Sequence, residues 1–223
     1  MSKIFFGIGV VVVLAGVMAG LWHLGWLGGE RALWRQIKDK PALAELYQKA
    51  RIKEREIAKE LEKAEKYFTL GLLWKSIAEQ GGPAEFFKKS LAIYEDGIAR
   101  FGTKNILFYL NGGSVAEQMG DYVKAEIYFK KAIEISPADE SGYLDLAELY
   151  EYKLKKTKSE ILTVFKSGEG KMISALPLIS ARATYLRRAG DKAAALKDYE
   201  ILSQSFPNNQ GYKDIIAELK SDL

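Results

Sequence analysis

The sequence predicts an all-α chain: a transmembrane helix at the N-terminus, followed by an α-solenoid of short helix pairs. Three observations carry this expectation. Residues Ile4 to Gly29 contain no Asp, Glu, Lys or Arg. Beyond Pro41, apolar residues recur at three- and four-residue steps, the period of a helix. A segment running from a Gly-Asp turn to a Pro then occurs twice, at 120–137 and 190–207.

The uncharged stretch is 26 residues long, and a helix of about 20 residues crosses a ~30 Å hydrocarbon core. Trp22, Trp26 and Trp34 gather on its C-terminal side, where indoles sit among lipid headgroups. His23, between the first two, reads as an interfacial side chain. A cleaved signal peptide is the competing reading, since Val17 and Ala19 precede Gly20 in a passable cleavage pattern. Against it, hydrophobicity continues through Leu27 and the leading region holds only Lys3, which favours a retained signal anchor. Ala15, Gly16, Ala19 and Gly20 place small residues on one face, a candidate surface for packing against a second transmembrane helix.

After Gly28 and Gly29 the chain turns polar, and residues 30–63 read as a charged helical linker or stalk. Pro41 suits the first turn of a long helix. Leu43, Leu46, Tyr47, Ala50, Ile57, Leu61, Ala64 and Phe68 form its apolar stripe, with Glu45–Lys49 and Glu62–Lys66 as pairs at four-residue spacing. Glu54 interrupts the stripe and argues against a sustained coiled coil. The segment is either a stalk merging into the first repeat or a degenerate repeat helix.

The two matching segments read GDYVKAEIYFKKAIEISP and GDKAAALKDYEILSQSFP. Gly120, Asp121, Ala125, Phe129, Ala132 and Pro137 correspond to Gly190, Asp191, Ala195, Tyr199, Leu202 and Pro207. Gly supplies the positive φ that closes one helix and Asp caps the next. The Ala residues allow a neighbouring helix to cross closely, and Pro stops the second helix. This pattern resembles the tetratricopeptide repeat (TPR). The helices ahead agree less well: Tyr109 and Gly113, and Ile179 and Ala183, fit the large and small positions. Gly112 and Arg182, however, stand where Leu is usual. Two weaker copies carry Tyr67, Leu70, Gly71 and Trp74, then Tyr143, Leu146, Ala147 and Tyr150. Their second helices are displaced by a seven-residue excess near Gly81-Gly82-Pro83 and a two-residue excess before Ile161, Phe165 and Gly168. The repeats are expected at about 64–104, 106–139, 140–173 and 176–209, with a closing helix over 211–223.

The resemblance implies a scaffold that binds proteins or peptides, although fold alone does not name the partner. Its inner face would be lined by first helices: Phe68, Leu72, Leu107, Leu110, Glu117, Leu144, Glu148, Glu151, Tyr152, Thr184, Arg187 and Arg188. The Lys/Asn clamp of chaperone-binding members is missing, because Phe68, Leu110, Leu144 and Ser180 occupy those places. The groove reads as apolar at one end, acidic in the middle and basic at the far end, suited to a peptide of mixed character.

Composition narrows the function classes. With 48% apolar and 28% charged residues the chain is globular. Its 33 basic and 29 acidic side chains are interspersed, unlike a nucleic-acid footprint. It has no Cys and a single His, so no catalytic, cofactor-binding or metal-binding residue is assigned, and the chain is read as no enzyme. The expected function is a membrane-anchored TPR scaffold or adaptor. The alternative is a permanent structural subunit of a membrane complex, its anchor packed against partner helices. The expected partners are a protein or peptide, the lipid bilayer and a second copy through the transmembrane helix. Arg31, Arg35, Lys38 and Lys40 flank the anchor against Lys3 alone, which places the repeats on the cytoplasmic side. A short tail before a long apolar run is also how many bacterial signal anchors begin, so the opposite side stays open.

Overall fold

A computed structural model describes residues 29–102 and 105–223. The expected transmembrane helix, with its packing face of Ala15, Gly16, Ala19 and Gly20, lies outside the described residues. Among the described residues no helix is long and apolar enough to cross a membrane, and there is no strand. The helices are α1 (residues 29–37), α2 (Pro41–Ile57), α3 (Ala64–Glu79), α4 (Glu85–Phe101), α5 (Ile106–Gln118) and α6 (Tyr122–Ile135). They continue with α7 (Ser141–Glu148), a π-helical turn (Leu149–Lys153), α8 (Lys158–Glu169), α9 (Leu176–Arg188), α10 (Lys192–Ser205) and α11 (Gln210–Ser221). The chain divides into two compact units, residues 1–89 and 90–223, with the boundary inside α4.

In the first unit α2 buries Leu43, Tyr47, Ala50 and Ile57 and packs along α3. The stretch expected as a stalk therefore lies against the first repeat helix, as a repeat helix would. The apolar stripe is not one long helix: α2 stops at Ile57 and Leu61 is exposed in the turn that follows. In that turn Lys63 and Lys66 both pair with Glu60, and their hydrogen bonds draw its carboxyl down to about 2. Lys66 thus pairs with Glu60, not with Glu62 as the spacing implied, while Glu45–Lys49 forms as expected. Trp34, grouped in the sequence with the interfacial indoles, rests on Tyr47 with ring centroids 5.2 Å apart. Tyr47 also meets Trp74 edge-on, and Trp74 stacks on Phe86. Glu30 is buried beside this cluster. It accepts a hydrogen bond from the Tyr47 hydroxyl and pairs with Arg51 and Lys89, so its charge is compensated from two cations. Glu54, the residue that broke the stripe, is pushed up by burial despite the neighbouring Arg51 and Lys89.

The second unit repeats one local device. Gly120 and Gly190 have φ of +80° and +76°. Each ends a helix with the paired backbone bonds of a Schellman motif, Asp121 N–H to Ala116 O and Gly120 N–H to Glu117 O, and likewise Asp191 to Leu186 and Gly190 to Arg187. The same Asp then caps the next helix, its side chain accepting from Lys124 N or Ala194 N. Ala125 and Ala195 are fully buried at the crossings, with Phe129 and Tyr199 beside them. A Cβ on Gly113 would sit 2.5 Å from the Phe129 ring, so α5 and α6 approach there as only glycine permits. The seven-residue excess goes mostly into longer helices, α3 and α4 having 16 and 17 residues against 13 and 14 in α5 and α6, and partly into the longer connection between them. The two-residue excess falls at the π-turn and the connection to α8, which begins with a Thr157–Glu160 capping box.

A candidate partner-binding cleft

Two helical stripes face each other in the second unit. Leu144, Ala147, Glu148 and Glu151 follow an i, i+3, i+4, i+7 pattern on α7 and its π-turn. Pro177, Ser180, Ala181, Thr184 and Arg188 follow the same pattern on α9. Together with Phe165 of α8 and Tyr185 they line a cleft of about 310 Å³. The small side chains Ala147, Ser180 and Ala181 leave the space, while Phe165 and Tyr185 contribute aromatic surface. Burial, then the negative charge of Glu151, pushes the Tyr185 hydroxyl above its ordinary value, so it stays neutral. Arg188 spans the cleft. Its guanidinium donates to Glu151 at 2.6 Å and lies 5.4 Å from the centroid of the Tyr152 ring.

The cleft gathers Leu144, Glu148, Glu151, Thr184 and Arg188 of the expected groove, with Tyr152 beside it under Arg188. The other expected residues lie elsewhere. Leu110 is 8% exposed and belongs to the core of the second unit, which removes it as a contact residue. Arg187 turns to the closing helix and donates to both oxygens of Glu218 at 2.8 Å. Glu117 pairs with Lys153 at 3.8 Å. Leu107 is exposed in the first turn of α5, away from the cleft lining. In the first unit Leu72 is exposed and Phe68 half-buried. At this cleft the acid Glu151 and the base Arg188 are paired with each other.

The sequence reading missed Ala147, Phe165, Pro177, Ala181 and Tyr185. Phe165 belongs to a second helix, outside the first helices from which the groove residues were drawn. The stripe from Leu144 to Glu151 was the signal available for Ala147, and the stripe from Pro177 to Arg188 for Pro177 and Ala181, with Tyr185 adjoining it. Lys156 pairs with Glu160, Lys158 with Asp191 and Lys153 with Glu117. In Gly168-Glu169-Gly170-Lys171, Glu169 pairs with Arg182 and Gly168 abuts Leu178 and Tyr143. Among the described residues no cluster of His, Cys, Asp or Glu could hold a metal.

Helix pairs joined by a positive-φ Gly and an Asp cap, and crossing at buried Ala, repeat with the same geometry. The fold is TPR-like. Solved structures agree. YrrB, described as a TPR protein with an unusual peptide-binding site, matches with a TM-score of 0.52 at 16% identity over 77% of this chain and 84% of its own. A tetratricopeptide repeat protein from Parabacteroides merdae matches at 0.57 and 15% identity, over 85% and 71%. PilW, a type IV pilus biogenesis factor, matches at 0.54 and 15% identity, over 89% and 94%. At such identities the likeness is one of fold. No family model and no curated protein matches the sequence. What these structures share with the chain is the TPR-like fold.

Proposed function

We propose that this chain is a membrane-anchored TPR scaffold, or adaptor, that holds a protein partner by a short segment seated between α7 and α9. The observation that carries the proposal is the cleft itself. Side chains from two consecutive repeats converge there on one concave space, with apolar surface and a few polar groups, the usual make-up of a binding pocket. YrrB, a neighbour in fold, has a peptide-binding site. Support for the anchor comes from the sequence: the uncharged stretch from Ile4 leads directly into α1. Tethering of this kind raises the local concentration of scaffold near membrane partners.

Leu144→Glu places a charge on the half-buried wall of the cleft. In cross-linking mass spectrometry of native membranes, the variant should lose most cross-links between α7–α9 and the partner while its level and helix content are kept. Unchanged cross-links would refute the cleft as the contact. The exposed Arg31, Arg35 and Lys38 beside the anchor support repeats on the cytoplasmic side. A fluorescent protein fused after Leu223 should then be bright and an alkaline phosphatase fusion inactive; the reverse pattern would place the repeats on the other side.

A further inference from the structure

We propose that the segment held in this cleft is cationic: an aliphatic side chain next to a Lys or Arg, with Glu148 receiving the positive charge. This rests on the cleft being a peptide site and adds the chemistry of its occupant.

The argument is a comparison of charges at the rim. Glu148, Glu151 and Arg188 line the cleft. Arg188 is matched by Glu151 at 2.6 Å and settled over Tyr152. The other nearby cations are also matched, Arg187 by Glu218 and Lys153 by Glu117. Glu148 is exposed and, among the described residues, has no cation within ion-pair distance. The unmatched charge of the cleft is therefore negative. Thr184 strengthens this polarity. Its hydroxyl donates back to Ser180 O at 3.0 Å, which leaves the oxygen to the cleft as an acceptor. An acidic segment would have to break the Glu151–Arg188 pair and then lie beside Glu148, so repulsion excludes it. A basic segment meets Glu148 with nothing to displace. The space admits one or two side chains and not a whole helix, and Leu144, Ala147, Phe165 and Ala181 give it an apolar floor. A medium aliphatic residue fills that floor while its basic neighbour reaches the rim.

The test uses the full chain in detergent micelles and fluorescein-labelled peptides Gly-Ser-Xaa-Leu-Xaa-Ser-Gly, with Xaa as Lys, Gln or Glu, read by anisotropy at low salt. The Lys peptide should bind roughly fivefold more tightly than the Gln peptide, the size of a rim ion pair with a charge-assisted hydrogen bond, and the Glu peptide more weakly than either. Glu148→Gln should abolish the preference for the Lys peptide over the Gln peptide. Glu148→Lys should invert the order. Glu148 is exposed, so neither substitution threatens the fold. Equal binding of the three peptides, or a preference that survives Glu148→Gln, would overturn the cationic occupant and leave the cleft as a peptide site. Failure of all three to bind a folded chain would overturn both.

Discussion

The helix pair α5–α6 and the pair α9–α10 solve the same packing problem in opposite ways. Residues 112 and 128 in the first pair correspond to 182 and 198 in the second. In α5–α6 the two positions hold Gly112 and Tyr128. The tyrosine fills the space that glycine leaves, since a Cβ on Gly112 would lie 3.2 Å from its ring. Its hydroxyl donates to Glu95 at 3.1 Å, and its ring meets Tyr109 edge-on. In α9–α10 the same positions hold Arg182 and Asp198. Arg182 donates from Nε and Nη2 to the two Asp198 oxygens, both at 2.8 Å, and pairs with Glu169 as well. Asp198 is only 5% exposed. The crossing needs a complementary pair, and size or charge serves equally well. That lesson accounts for the two departures from the family pattern: Gly112 and Arg182 are each half of a pair.

Breaking the charged pair should give the largest effect. Asp198→Ala leaves a largely buried guanidinium with Glu169 alone, and should cost about 3 kcal/mol, as loss of one partner of a buried pair does. All four Trp residues precede residue 90, so tryptophan fluorescence is blind to this unit. Hydrogen–deuterium exchange of α9 and α10 in the full chain is the suitable readout. Exchange as slow as in the wild type would mean that the pair contributes nothing to holding the crossing.

Transplanting the other solution sharpens the comparison. Asp198→Tyr alone sets a bulky ring against Arg182 and leaves its charge to Glu169 alone. Adding Arg182→Gly recreates the pair found in α5–α6 and should recover at least about 1 kcal/mol relative to the single variant, a coupling typical of residues in contact. Purely additive losses would show that the surrounding helices, and not the pair, decide what fits.

The same contrast explains what could be read from the sequence. The Gly-Asp turns were legible because their whole mechanism is local: a Gly that reaches positive φ, an Asp that caps, and a buried Ala four residues on. Arg182 was legible as a departure, but its partner Asp198 lies 16 residues away on another helix, and no spacing rule joined them. Glu30 shows this more strongly, since Tyr47, Arg51 and Lys89 reach it from α2 and α4. In the cleft, Leu144, Glu148, Glu151, Thr184 and Arg188 followed from the resemblance to the repeat family, whose first helices line the inner face. Leu110 satisfied the same rule and is nevertheless buried. How closely neighbouring helices approach decides exposure, and the pattern of α5 alone does not contain that information.

The smallest effect separates the two caps that otherwise look alike. Asp121 and Asp191 each receive a backbone N–H of the following helix, at 3.1 and 3.2 Å. Asp191 also takes a hydrogen bond from Lys158 of α8, and that bond, followed by the one from Ala194 N, holds its carboxyl below its ordinary value of 3.8. A carboxylate whose folded value is lowered stabilises the fold fully above its unfolded value, and loses that contribution as pH falls through the folded one. Asn caps a helix as well as Asp but cannot pair with Lys158 as an ion. Asp191→Asn should therefore cost about 0.5 kcal/mol at neutral pH, a partly exposed ion pair's worth. The gap to the wild type should stay constant down to pH ~4 and close below it. Asp121 makes its cap without such a pair, so Asp121→Asn should be nearly silent at neutral pH. Exchange rates of α6 and α10 amides in the two variants, followed from pH 7 into acid, measure both. A gap for Asp191→Asn that widens in acid would show that Lys158 opposes the folded state there instead of supporting it.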